Sequence, residues 1–180
     1  GHIVRDGLRR MYGDDPEDVF YYLTLYNEPY VQPAEPAEID AEGIVRGMYL
    51  LSAAGDGAGP RAQVLASGVA VPWALDAQRL LREDWGVHAD VWSVTSWTEL
   101  RRDGLAVDRH NLLEPEATPR TAYVAQRLEG RSGPVVGVSD YMRELQDMIR
   151  PWVATDYATL GTDGWGMSDT RGALRRHFLV

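Results

Sequence analysis

The sequence contains no lysine and no cysteine, and each absence closes off a class of chemistry. Without lysine there is no Schiff base to a carbonyl substrate or to pyridoxal phosphate, and no ammonium group for a phosphate-binding loop. Without cysteine there is no thiolate nucleophile, no disulfide and no thiolate-bound metal. All 18 cationic residues are arginines, grouped in nothing larger than pairs such as Arg9-Arg10, Arg101-Arg102 and Arg175-Arg176, against 27 acids. A net charge of −9 with no basic stripe argues against nucleic acid as a partner. Long hydrophobic runs are missing as well: nowhere do apolar residues continue for the ~20 positions of a membrane helix, and no charged-then-apolar signal pattern opens the chain. A cytoplasmic location without membrane contact is the expectation. Histidine is scarce. His2, His88, His110 and His177 include no two at helical ligand spacing and none beside a serine–acid pair, which speaks against a zinc site or a catalytic triad, and no Gly-x-Ser-x-Gly elbow occurs.

What is present is the composition of a folded domain, 44% apolar and 25% charged over 180 residues, enough for one domain or one domain with an ordered extension. The first thirty residues hold an amphipathic helix from Asp6 to Tyr12. An unbroken β-prone run follows, Val19-Phe20-Tyr21-Tyr22-Leu23-Thr24-Leu25-Tyr26, of the kind that suits a strand buried on both faces. One strand and one helix cannot form a sheet, so residues 1–30 read as the end of a domain that starts earlier. Pro29, Pro33 and Pro36 then exclude helix and central strand, and 31–46 reads as an extended linker.

Residues 47–180 alternate strand and helix signals. Gln63-Val64-Leu65-Ala66-Ser67-Gly68 reads as strand into turn, Val71–Trp85 as a helix, and Asp90–Val94 as a strand. Ser96 and Glu99 form a capping box for a helix running through Arg102, and 104–121 reads as irregular. Pro134–Val138 is a strand, Tyr141–Trp152 a helix, Tyr157–Leu160 a strand, and Asp169–Phe178 a helix capped by Asp169. Such alternation predicts an α/β domain with a mostly parallel sheet and helices on both faces.

The glycines of Gly55–Pro60 invite a phosphate-loop reading, but no helix follows to hold an anion and Pro60 opens the next segment, so a surface turn is expected. His88-Ala89-Asp90 and Asp108-Arg109-His110 read as solvated loop pairs, because sequence neighbours point apart. The loop Gly161–Asp169 lies after a parallel strand, at the end where ligands collect in open α/β sheets. Asp163, Trp165, Ser168 and Asp169 are candidates there for an active-site or subunit edge, beside the plainer reading that its glycines shape the turn and Asp169 caps a helix. Glu28, at the end of the apolar run, is the candidate catalytic acid. The alternative is a boundary carboxylate bonding its own turn.

Several stretches, in order, resemble one family: Asp6–Gly13, Tyr21–Thr24 leading to Asn27-Glu28, Ala66-Ser67-Gly68, Asp90–Gly104, Ser139–Met142 and Gly161–Arg171. Together they resemble the C-terminal part of the homodimeric-type pyruvate dehydrogenase decarboxylating subunit, and the arginine-only, alanine-rich composition looks actinobacterial. The resemblance implies a transketolase C-terminal-domain-like fold over 47–180, preceded by the tail of a thiamine pyrimidine-binding domain over 1–30. It implies thiamine diphosphate and magnesium in the full-length enzyme, decarboxylation of pyruvate, and acetyl transfer to the lipoyl group of an acyltransferase partner. The full-length subunit would be a homodimer. The diphosphate loop and the activating glutamate would lie in missing N-terminal domains, so this chain alone is expected to bind neither cofactor nor metal and to be inactive. Glu28 and Tyr30 match the family's active-site strand end, with Glu28 expected to bind substrate or relay protons. Val31 stands where enteric members carry a histidine, so relay by that imidazole does not carry over. Two rival readings are a split two-carbon transferase subunit serving a carrier protein, and a non-catalytic assembly domain.

Overall fold

In the computed structural model, residues 1–26, 31, 34, 38–164 and 167–178 are described. Seven α-helices, five strands and one 3-10 turn are placed among them. Helices α1 (His2–Tyr12) and α2 (Ala41–Arg46) precede β1 (Met48–Ser52) and β2 (Arg61–Ala66). Then come α3 (Ala70–Trp85), β3 (His88–Val94), α4 (Trp97–Leu113), α5 (Tyr123–Leu128) and β4 (Val135–Val138). The chain continues through α6 (Arg143–Asp147), the 3-10 turn Arg150–Trp152, β5 (Tyr157–Leu160) and α7 (Arg171–Phe178).

The strands form one sheet in the order β1-β3-β2-β4-β5. β3, β2, β4 and β5 run parallel, and β1 joins β3 antiparallel at one edge, with a bulge between Leu50 and Ser52. This is the mostly parallel sheet that the strand–helix alternation predicts. Period-two alternation explains why it is covered on both faces. Val64, Ala66, Ala89 and Val91 point to the face of α3, where Ala74, Leu75 and Leu81 meet them. Leu65, Trp92, Val94 and Val135 point to the other face, against Trp97 and Leu100 of α4, Tyr123 and Val124 of α5, and Ile149. Two residues of opposite chemistry settle that second core: the indole N–H of Trp92 donates to Oε1 of buried Gln63 at 2.9 Å, and Gln63 in turn donates to the Ser132 carbonyl. A buried indole left without that acceptor would cost about 1–3 kcal/mol.

The helices depart from expectation where glycine and proline act differently from their usual local roles. α4 does not stop near Arg102 but runs to Leu113, so 104–121 is not irregular throughout. Gly104 is not a helix breaker there: it is buried, and a methyl at that position would overlap the Trp152 ring. The expected helix Tyr141–Trp152 is instead α6 followed by the 3-10 turn, where Pro151 supplies no amide hydrogen to continue an α-helical ladder. β1 and α5 carry no distinctive periodicity and are additions, and the expected extended linker 31–46 is not extended throughout: its last six residues are α2, capped by the Asp40 carboxylate accepting from the Gly43 amide.

The apolar run Val19–Tyr26 is a correction of a larger kind. It forms no strand and pairs with nothing in the sheet; Phe20, Tyr22 and Leu25 are 87%, 83% and 89% exposed. Its first contacts are with α1. The Tyr21 ring packs on Gly7, its hydroxyl donates to Asp6 and accepts from Arg10 at 3.0 Å, and Arg10 holds Glu17 through two bonds. Among the described residues no helix is long and apolar enough to cross a membrane.

Candidate functional site

From β2 the chain passes through α3 to β3 on one side, then returns through α4 and α5 to β4 on the other. The strand order therefore switches between β2 and β4, and the carboxyl ends of those strands form the crevice in which open α/β sheets take ligands. Two turns make its rim. Ser67-Gly68-Val69 follows β2, with the Ser67 amide bonded to the Val138 carbonyl at 3.1 Å and its hydroxyl accepting from the Trp97 indole at 3.0 Å. Ser139-Asp140-Tyr141 follows β4, with the Ser139 hydroxyl accepting from the Tyr141 amide at 2.9 Å. Both serines are buried.

A side chain from far upstream occupies this crevice. Tyr26, the last residue of the exposed run, donates its hydroxyl to Asp140 at 2.7 Å, and the Val69 amide also faces its oxygen. Gly68 makes the approach possible. Its φ of +59° places it in the left-handed region, and a Cβ there would collide with the Tyr26 hydroxyl. Burial first, and then the bond to Asp140, push the Tyr26 phenol well above the ordinary tyrosine range, so it stays a donor at neutral pH.

The loop after β5 reaches the same rim. The Thr162 amide donates to the Tyr141 carbonyl at 2.8 Å, and Asp163 accepts from the Arg143 backbone amide at 3.0 Å and from the Arg143 guanidinium. The backbone bond, then the guanidinium, hold the Asp163 carboxyl below the usual range. Asp163 thus ties the β5 loop to the start of α6. Ser168 and Asp169 are exposed; Asp169 accepts from the Thr170 amide at 2.6 Å, while the Thr170 hydroxyl accepts from Ala173, so α7 is capped by Thr170 rather than Asp169. Glu28, Tyr30 and Trp165 lie outside the described residues.

The two histidine–acid pairs are not solvated loop pairs. Asp90 is buried, accepting from the Ala54 amide at 2.7 Å and from Arg131 at 3.3 Å, while His88 packs under Gly57 and Gly59. Asp108 and His110 lie on α4, where Asp108 accepts from the Trp152 indole at 3.0 Å and His110 faces Glu114 at 3.5 Å. Residues 55–60 make the surface turn expected of them, leading into β2 rather than into a helix. Asp56 there is exposed, and among the described residues no group of three or more acids and histidines is placed to hold a metal ion. These residues do not fit a magnesium–diphosphate group.

The contact of Tyr26 with Gly68 and Asp140 leaves no local trace in the sequence, because 114 residues separate donor from acceptor. The one signal in the sequence was the glycine closing a strand at a predicted parallel edge.

Comparison with known proteins gives consistent results. Residues 47–180 match the model of the transketolase-like TK C-terminal domain. The chain is 55% identical over 98% of its length to the pyruvate dehydrogenase E1 component of Mycolicibacterium smegmatis, and 45% identical over 99% to that of Escherichia coli K12. It spans 19% and 20% of those proteins, in their C-terminal region. Among solved structures, transketolase from Campylobacter jejuni matches 81% of this chain and 18% of its own, with a TM-score of 0.50 and 20% identity, a likeness of fold alone.

Proposed function

Since this chain belongs to the transketolase-like C-terminal domain family, we propose that it works as the C-terminal portion of a pyruvate dehydrogenase E1 component. In this reading residues 1–30 complete a pyrimidine-binding domain, 31–46 link it, and 47–180 form the third domain. The full-length protein is a cytoplasmic homodimer that decarboxylates pyruvate oxidatively and passes the acetyl unit to the lipoyl group of an acyltransferase. The two-carbon chemistry is supplied by thiamine diphosphate and magnesium held by other domains. The observation that carries the reading is the 40–55% identity to pyruvate dehydrogenase E1 components across nearly the whole chain, the N-terminal run included.

The exposure of Phe20, Tyr22 and Leu25 supports the same reading, since an apolar β-prone run without neighbours is what the last strand of another domain would leave. Glu28, two positions after Tyr26 in the sequence, is the acid proposed to contact substrate or relay a proton, with Tyr30 two positions further on. Asp140 accepts from Tyr26 and so holds the run's end, while Asp163 accepts from Arg143 and ties the β5 loop to the start of α6.

In the full-length enzyme, Glu28→Gln is expected to lower pyruvate turnover by at least ~100-fold, the scale of a positioned acid or base. Turnover within a factor of about three of the parent would return Glu28 to a structural role. Calorimetric titration of this chain with thiamine diphosphate and magnesium is expected to give no micromolar binding; a micromolar isotherm would contradict the division of labour between domains.

A further inference from the structure

We propose that the outward face of α4 is a docking surface for an acidic, amphipathic helix of a partner protein. The inference goes beyond the proposed function and depends neither on Glu28 nor on the segment that precedes the sheet.

α4 is two-sided. Trp97, Leu100 and Gly104 on its inner side are buried. Two of its acids are engaged within the domain: Asp103 accepts from the Tyr123 amide and from Arg46, and Asp108 accepts from the Trp152 indole. A different set faces outward. Thr98, Arg101, Arg102, Leu105, Arg109 and Leu112 are all exposed, and each stands three, four or seven positions from others of the set, so they share one stripe of the helix. Leu105 and Leu112 are 45% and 79% exposed. Glu99 holds Arg102, but among the described residues Arg101 and Arg109 enter no ion pair.

The charge of this stripe identifies its occupant. The chain carries −9 overall, and on α3, across the sheet, Asp76, Glu83 and Asp84 stand three or four positions from exposed Leu80. The α4 stripe reverses that sign locally. Its leucines, spaced by seven positions among arginines, fit a helix that lays apolar residues along them and sets carboxylates against Arg101 and Arg109. From Thr98 to Leu112 the stripe runs about 21 Å, which seats roughly four turns of such a helix. An anionic membrane fits less well, because so few leucines on a packed helix offer little to insert and a net charge of −9 opposes a surface of the same sign.

The test uses the full-length protein and a labelled peptide of about 18 residues, with leucine at helical spacing and glutamate on the flanking positions, followed by fluorescence anisotropy. Micromolar binding that weakens as salt is raised is expected. Two control peptides, one with its leucines scattered round the helix and one with lysine in place of glutamate, should each bind at least ~10-fold more weakly. Arg101→Glu combined with Arg109→Glu should weaken the glutamate peptide at least ~10-fold and admit the lysine peptide, a gain that also shows the variant to be folded. Absence of binding to the parent, equal binding by parent and double variant, or equal binding of the scattered control would overturn the inference. Binding to the 180-residue chain but not to the full-length protein would overturn it too, giving the face to the protein's other domains. Salt-sensitive self-association of the parent, or its binding to phosphatidylserine vesicles, abolished by the same two substitutions, would overturn it in favour of a second copy or a lipid surface.

Discussion

Two stretches of this chain carry nearly the same local signal and meet opposite fates. Val19–Tyr26 and Arg61–Ala66 both carry β-prone apolar residues, Val64-Leu65-Ala66 in the second, and the first is the longer and more aromatic of the two. Yet Arg61–Ala66 is the central strand β2, hydrogen-bonded to β3 and β4 on either side, whereas Val19–Tyr26 lies outside the sheet and largely bare. The difference is not propensity but company. β-propensity measures how well a side chain suits a pleated surface that neighbours have already built, and within this chain the sheet builds that surface for residues 61–66 and not for 19–26. An apolar run thus identifies a strand only when pairing partners are in reach.

The comparison can be broken most severely from the strand side. Leu65 is fully buried between Trp92 and Val135, and Leu65→Ala is expected to cost about 2–5 kcal/mol in denaturant unfolding of this chain. Leu25→Ser, in the bare run, removes as much apolar surface on paper but should shift stability by less than about 0.5 kcal/mol while improving solubility. Equal losses from the two substitutions would mean that the run is packed in solution after all. A smaller effect separates two helical glycines. Alanine favours helix over glycine by about 1 kcal/mol, so Gly172→Ala, which meets only the tip of Arg176 at 3.7 Å, should stabilise α7 by roughly 0.5–1 kcal/mol. Gly104→Ala gains the same propensity but drives a methyl into a Trp152 ring held by Asp108, and overpacking of about 1–3 kcal/mol should win. A rise in melting temperature for Gly104→Ala would show that the Trp152 ring swings aside freely.

What could be read in advance follows from the range of the interactions involved. The parallel strands β2 to β5 were legible as short β-prone runs bounded by turn residues, and α3 because its apolar side repeats at helical spacing. β1 was hidden: its five residues are a short apolar run that suits helix or strand equally, and only the β3 edge decides it. The continuation of α4 beyond Arg102 was hidden by Gly104, whose reason for being glycine is an indole 48 positions further along the chain. At the carboxyl edge of the sheet, Thr162 bonds Tyr141 and Tyr26 bonds Asp140, two contacts between segments far apart in the chain. The sequence could not show that Asp163 serves Arg143, that Asp140 serves Tyr26, or that Gly68 makes room between them. Those are tertiary facts, carried by residues whose types are ordinary in their own neighbourhoods.

The least of the expected effects concerns how firmly the bare run is held at its docked end. Burial, followed by the Asp140 bond, raises the pKa of the Tyr26 phenol in the folded chain above the ~10 of an unfolded tyrosine. The sign follows from linkage: the folded state holds this proton more tightly, so the contribution to stability is whole below pH ~10 and is lost as pH rises through the folded value. Ring resonances of Tyr26 followed by NMR should therefore stay constant through neutral and mildly alkaline pH and change only above ~10, together with those of Gly68 and Val69. Tyr26 remains 38% exposed, so solvent weakens the effect and the change should be local, with the sheet itself intact. Asp140→Ala removes the bond and the charge of that carboxylate and should bring the transition closer to ~10. A phenol that titrates at the ordinary value in the parent chain would mean that the run is anchored at Tyr21 alone, and the contrast between a paired strand and a pinned one would reduce to that between a strand and a free end.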